Sequence, residues 1–588
     1  MKSFLKYVFA TIVGILLLNI ILFIIFLGII TALAPSEKPP KIKPNSILHL
    51  KLDYAINERT DDNPFKSFSF TDFNTEKNLG LNDILFNIHK AAEDPNIKAI
   101  YLDVTNMQAG LATIEEIRNA ILNFRHDSKK PVIAYTDYYT QLAYYLCSAA
   151  DKIYMNPQGV VEFKGLSSEI LFFKNALEKL GIQPIVIRHG KFKSAVEPFV
   201  LDKMSPENKE QTKTYVQSIW NHMLSQISIE RKIPVERLNI IADSLLLDNA
   251  ENCVKYGFVD GLKYYDEILS ELCQLTKVTR NKDLSWVEMN QYSKVPAKFV
   301  PGKKEKIAIL YAVGQIDLGK NEDDKIGGNE LADEIRKVRE NPDIKALVLR
   351  VNSPGGSALA SEIIWREIVL TKKVKPVIVS MSDVAASGGY YISCPADVII
   401  ANPTTITGSI GVFGLLWNGQ KFLNDKLGLT IDGVQTNENA TLGSVFRPIK
   451  PYEQQVIQKG VEQIYSVFIN HVAEGRKKTA AEIDSIGQGR VWSGINAKQI
   501  GLIDEFGGLE KAIEIAKQKS GIKGKIKIIE LPEKLPFFEQ ILKEMQENTE
   551  VSLIEKEFGH LARYIKSFKQ LENIKGIQAR MPYDIYLY

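Results

Sequence analysis

Residues 376–393 read PVIVSMSDVAASGGYYIS. The apolar run Pro376-Val377-Ile378-Val379 has the composition of a buried strand. Five small residues, Ala385-Ala386-Ser387-Gly388-Gly389, follow where a helix begins. A strand that feeds a helix through a tight turn is the building unit of an α/β domain. A serine in such a turn sits among unpaired backbone N–H groups at the positive end of the helix dipole, and its glycine neighbours admit another backbone. Those conditions suit a nucleophile, and they equally suit a helix that packs tightly on a sheet.

Outward from this stretch the chain repeats itself at a separation of about 245 residues. EDPNIKA at Glu93–Ala99 answers ENPDIKA at Glu340–Ala346, and Pro131-Val132-Ile133 answers Pro376-Val377-Ile378. Tyr144-Tyr145 answers Tyr390-Tyr391, Ala150-Asp151 answers Ala396-Asp397, and Gly257-Phe258-Val259-Asp260 answers Gly501-Leu502-Ile503-Asp504. Short apolar strands (Ala99–Val104, Ala346–Val351) alternate with amphipathic helices (Ile114–Phe124, Ser361–Leu370), so each unit is expected to be an α/β domain with a mostly parallel sheet. The units span 46–295 and 296–535. A tail, 536–588, is helical in pattern from about Leu531 until the aromatic run MPYDIYLY.

The duplication permits an internal comparison. After the strand Ala346–Val351 the second unit has Asn352-Ser353-Pro354-Gly355-Gly356, where the first has Thr105-Asn106-Met107-Gln108-Ala109. At the place of Ser387-Gly388-Gly389 the first unit has Gln141-Leu142-Ala143. Two separate glycine-rich features are present together in one unit and absent together from the other. A tight turn gives no reason for that; an oxyanion hole built from backbone N–H groups facing Ser387 does.

Composition bounds the class. With 588 residues, 45% hydrophobic and 24% charged, the chain is globular and too long for one core. Its net charge of +3 and scattered lysines make nucleic acid an unsuitable partner. The four cysteines, Cys147, Cys253, Cys273 and Cys394, lack CxxC spacing and read as core residues rather than metal ligands or disulfides.

No charged residue occurs between Tyr7 and Ala34, and this apolar run exceeds the roughly 20 residues needed to cross a bilayer. Ala32-Leu33-Ala34 resembles a signal-peptidase site, but a cleaved signal peptide has an apolar region of only about 7–15 residues. Residues 1–34 are therefore expected to be an uncleaved transmembrane anchor, and 35–45, rich in Pro and Lys, a linker. Lysines flank the anchor on both sides, so the positive-inside rule does not orient it.

A nucleophilic serine needs a base. Ala385-x-Ser387-x-Gly389 is one residue away from the G-x-S-x-G elbow that works with histidine, and His471 and His560 lie downstream, one in an amphipathic helical stretch and one in the tail. Lysine is the other option: RHGKFKS at Arg188–Ser194 follows the apolar Ile185-Val186-Ile187. A lysine base must be neutral, which burial or neighbouring positive charge, here from Arg188 and Lys191, would favour.

Five motifs, GKFKSAVEPF (190–199), NSPGGS (352–357), SDVAASGGYYIS (382–393), TGSIGVFG (407–414) and GRVWSG (489–494), together resemble the long form of the signal peptide peptidase A family, also called protease IV. The resemblance covers nearly the whole chain except the tail. It implies a tandem duplication of a fold similar to the Clp protease and crotonase superfamily, behind an N-terminal transmembrane helix. It implies a serine-lysine dyad with Ser387 as nucleophile and Lys193, rather than Lys191, as general base. Ser409 would orient Lys193, and backbone N–H groups of Gly355 or Gly356 and of Gly388 would form the oxyanion hole. No metal or cofactor is required. The implied substrates are cleaved signal peptides left in the membrane after secretion, held as apolar strands on an exposed sheet edge. The body would lie outside the cytoplasmic membrane, as a homotetramer. A crotonase-like acyl-CoA enzyme would share the fold without needing an anchor or a Ser-Gly-Gly helix start. An inactive scaffold would not need Ser387, Lys193 and Ser409 together. Since Gln141 stands for the nucleophile in the first unit, and Ala440 for the lysine in the second, one site per chain is expected where the units meet.

Overall fold

A computed structural model describes residues 40–60, 78–296, 305–322, 324–533 and 577–581, with 6–7, 11, 13–18, 21, 68–69 and 74–75 as isolated positions. Apart from those positions, the expected anchor over 1–34 and most of the tail, including His560, lie outside the described residues. Among the described residues no helix is long and apolar enough to cross a membrane.

The strands form where the apolar runs predict them. Ile344–Ser353 is buried throughout except at Lys345 and Asn352, the pattern of a parallel strand covered on both faces. In the first unit Ser46–Lys51, Ile97–Asp103, Val132–Thr136, Lys152–Met155 and Gly261–Leu262 lie side by side in that order, with Trp286–Glu288 on the far side of Ser46–Lys51, all parallel. The second unit repeats this with Glu305–Val313, Ile344–Ser353, Val377–Ala386, Val398–Ala401 and Glu505–Phe506, and with Ile526–Leu531 on the far side. Register is kept: Ile47 faces Ala99 and Ile307 faces Ala346, each after a one-residue irregularity.

Polar ties are duplicated with the strands. The Asp151 carboxylate accepts from Val132 N at 2.8 Å, and that of Asp397 from Val377 N at 2.9 Å. Arg231 pairs with Asp260 as Arg476 pairs with Asp504, and the buried hydroxyls of Tyr144 and Tyr390 donate to the carbonyls of Phe258 and Leu502. A buried phenol must find an acceptor, which explains why both tyrosines keep one. All four cysteines are buried and free.

A third sheet joins the two units. Gln183–Arg188, from the first, pairs antiparallel along its length with Phe413–Asn418, from the second. This third sheet continues through Ile577–Arg580 to Gly355–Ser357, then Gln315–Asp317 and Lys325–Gly327. The tail thus supplies a strand at 577–580 where the sequence pattern suggested helix. Ile577, Ala579 and Met581 alternate over too short a span to reveal period two by themselves, and the strand is defined by the edges it joins.

Candidate active site

Ser387 terminates the strand Val377–Ala386 and caps the helix Gly388–Ser393 with φ 55° and ψ −112°. This is left-handed backbone for a β-carbon residue and costs about 1–3 kcal/mol. Packing enforces it: Ser387 N donates to Gly408 O at 2.8 Å, and a β-carbon on Gly389 would lie 2.6 Å from Ser353 O. Gly389 lets the helix start press against the strand that precedes the glycine pair.

Lys193 follows the strand Gln183–Arg188 in a turn and is completely buried. Its Nζ lies 2.8 Å from Ser387 Oγ, 3.0 Å from Ser409 Oγ and 3.0 Å from Ser409 O. Ser387 Oγ also reaches Gly411 O at 3.3 Å. Three of the motifs converge on this lysine. Phe192 N donates to Gln488 O, Ser409 N to Arg490 O and Gly489 N to Ile410 O. A β-carbon on Gly489, at φ 84°, would lie 2.6 Å from Lys193 Cα, so glycine lets the two loops touch.

Burial holds the Lys193 ammonium well below its usual range, because the charged form has lost water without gaining an anion. The expectation that Arg188 and Lys191 depress it is corrected. Arg188 donates to Lys193 O at 3.2 Å and lies 3.9 Å from the Glu197 carboxylate, while Lys191 is exposed with its ammonium over the Phe192 ring.

Gly355, at φ 96°, and Gly388 lie back to back: a β-carbon on Gly355 would be 2.6 Å from Gly388 N. Gly355 N donates to Ser353 Oγ at 3.2 Å. Gly356 is turned toward the neighbouring strand, where a β-carbon would be 1.9 Å from Ile316 O. The structure therefore brings together Ser387, Lys193, Ser409, Gly355 and Gly388, with Gly356 one step behind. His471 is elsewhere engaged, bonded to Glu362 at 3.0 Å and stacked on Trp365. Gln141 is tied to the backbone of Lys164 and Gly165, and Ala440 is exposed in a loop.

Sequence reasoning missed the supports. Gln211 donates to Phe192 O and Ser194 Oγ and accepts from Val491 N, clamping the lysine turn to the GRVWSG loop. Arg350, fully buried, bonds Glu58 at 2.7 Å, Glu116 at 2.8 Å, Ser380 at 2.8 Å and Ser382 at 2.9 Å. It joins two carboxylates of the first unit to the strand that bears Ser387. Its signal was visible as one charge inside the apolar run ALVLRV. Asp383 accepts from Thr113 N and Oγ1 across the same seam.

The profile of Peptidase family S49 matches the chain twice, over residues 125–279 and 370–523. "Protease 4" of Haemophilus influenzae is 35% identical over 524 residues, 85% of this chain and 84% of that protein. "Protease 4" of Salmonella typhi is 39% identical over 456 residues, covering 75% and 72%. "Serine protease SPPA, chloroplastic" of Arabidopsis thaliana is 36% identical over 465 residues, covering 77% and 68%. With one matched region inside each unit, the chain belongs to peptidase family S49 and is a serine peptidase.

Proposed function

We propose that this chain is a membrane-anchored endopeptidase that degrades apolar peptides, signal peptides left in the membrane among them, with Ser387 as nucleophile and Lys193 as general base. The observation that carries the reading is the 2.8 Å approach of Nζ to Oγ between two fully buried side chains. A neutral amine has two N–H groups and one lone pair. With the N–H groups spent on the two oxygens of Ser409, the lone pair is left for the Ser387 proton. Oγ then attacks the peptide carbonyl, and the developing oxyanion takes N–H bonds from Gly388 and Gly355, which first releases Ser353 Oγ. Lys193 passes its proton to the leaving amine and next activates the water that hydrolyses the acyl-enzyme.

The uncharged run from Tyr7 to Ala34 supports the anchor, and the family likeness supports a body outside the cytoplasmic membrane and a homotetramer. Each peptide substrate would add a strand at the sheet edge beside Gly355. A fluorophosphonate should label wild type at Ser387 and leave Ser387→Ala unlabelled. Label on another residue would overturn the assignment. Removing residues 1–34 should leave peptide hydrolysis intact and abolish membrane association.

A further inference from the structure

Gln211 touches both halves of the site. It lies in the helix Pro206–Arg231 of the first unit and is 1% exposed. Its Oε1 accepts from Val491 N at 3.1 Å, and its Nε2 donates to Phe192 O at 3.1 Å and Ser194 Oγ at 2.9 Å, with Asn208 Oδ1 also 3.1 Å away. A peptide N–H only donates and a carbonyl only accepts, so these partners fix which end of the amide faces which loop.

Each bond leads to one member of the dyad. Phe192 and Ser194 flank Lys193, and Phe192 is held from its other end by donation to Gln488 O at 3.0 Å. Val491 pairs with Gly408, whose carbonyl accepts from Ser387 N at 2.8 Å and which precedes Ser409. One buried amide thus spans from the lysine turn of the first unit to the strand pair that carries Ser409 and seats Ser387.

The duplication supplies a second, independent observation. Helices Pro206–Arg231 and Pro451–Arg476 are repeat partners: each has 26 residues, opens on proline and ends on an arginine that pairs with an aspartate. Gln211 therefore answers Val456, which is exposed. The glutamine is present in the repeat that holds the base and replaced in the repeat that lacks it.

We propose that Gln211 is a positioning residue for the general base: it clamps the lysine turn to residues 488–491, which keeps Nζ within reach of Ser387 and Ser409 and closes the space around it to water. The inference rests on the role of Lys193 given above. The charged groups packed around the turn are engaged with one another. Arg188 bonds the Lys193 carbonyl and lies beside Glu197, Glu197 accepts from Ser205 and Asn208, and Arg490 pairs with Glu210 and stacks on Phe192 and Trp492. Lys193 owes its depressed basicity to lost water, so a loosened clamp should restore part of it.

Wild type, Gln211→Met, Gln211→Asn, Thr212→Ala and Lys193→Ala are compared by kcat and KM for an apolar peptide ester over about pH 5 to 10, with a denaturant titration of each. Methionine keeps the length and loses every bond; asparagine keeps the amide but is one methylene short of spanning both loops. Thr212, buried and next in the helix, reports lost stability with the clamp in place. Both Gln211 variants should lose about tenfold in kcat at pH 7 with KM within about twofold of wild type. The acidic limb of their kcat profiles should move up by about one pH unit, because water at Nζ favours the ammonium form. Thr212→Ala should keep the wild-type limb whatever its stability. An unmoved limb in a folded Gln211 variant, the same shift in Thr212→Ala, or failure of both Gln211 variants to fold makes Gln211 a structural tie only and leaves the dyad standing. Turnover by Lys193→Ala at the wild-type level overturns the base reading itself.

Discussion

Lys193 Nζ and Ser387 Oγ are 2.8 Å apart although 194 positions separate the residues in the chain. One belongs to the first repeat and the other to the second, so their meeting depends on the antiparallel pairing of Gln183–Arg188 with Phe413–Asn418. Each chain thereby assembles one such pair from two incomplete halves.

Groups that act as a unit fail as a unit. Ser387→Ala and Lys193→Ala should each lower kcat for an apolar peptide ester by about 10⁴-fold or more, and the double variant should lose no more than either. Lys191→Ala, which alters an exposed side chain, should stay within about threefold of wild type. Substantial turnover in Lys193→Ala would place the base elsewhere.

The buried lysine ties activity and stability to pH in a defined direction. Its folded pKa is depressed, so kcat should rise with pH through that value and then level off. Between the folded pKa and the unfolded value near 10.4, the unfolded chain binds the proton and the folded chain does not. Stability from this group therefore rises with pH across that window. Lys193→Met should be inactive yet more stable at pH 7 by roughly 1–3 kcal/mol in urea titrations. A less stable methionine variant would contradict a neutral buried amine.

Gly489→Ala pushes a methyl group against the lysine backbone, 2.6 Å from Lys193 Cα. Displacement of the base by an ångström should cost about 10²-fold in kcat. Gly319→Ala is the control: its φ of 92° brings similar strain, but no heavy atom lies within 4 Å of the added carbon. It should lose stability only. Equal losses of kcat in the two variants would show that strain rather than the lysine contact is responsible.

Arg350→Met should destabilise the protein by about 3–5 kcal/mol, because Glu58 and Glu116 would be left buried without their cation. Adding Glu58→Gln and Glu116→Gln should restore part of the loss in denaturant titrations. No recovery would mean that arginine acts by packing.

Much of this molecule is legible in its sequence because its determinants are local. The repeat EDPNIKA/ENPDIKA, the apolar runs and the turn glycines state the duplication and the parallel sheets through side-chain chemistry at short range. Ser387 announces itself by the small residues around it. Lys193 was named from its motif, but the cause of its altered basicity was not readable: sequence offers Arg188 and Lys191 as neighbours, whereas the fold spends Arg188 on the Lys193 carbonyl and Glu197, leaves Lys191 exposed, and removes water from the amine instead. The seam network of Arg350, Glu58 and Glu116, the clamp by Gln211 and the strand at 577–580 are decided by the tertiary structure. Each depends on which backbone edges and buried charges are brought opposite one another across hundreds of residues. The polypeptide encodes such pairings only through the free energy of the whole fold.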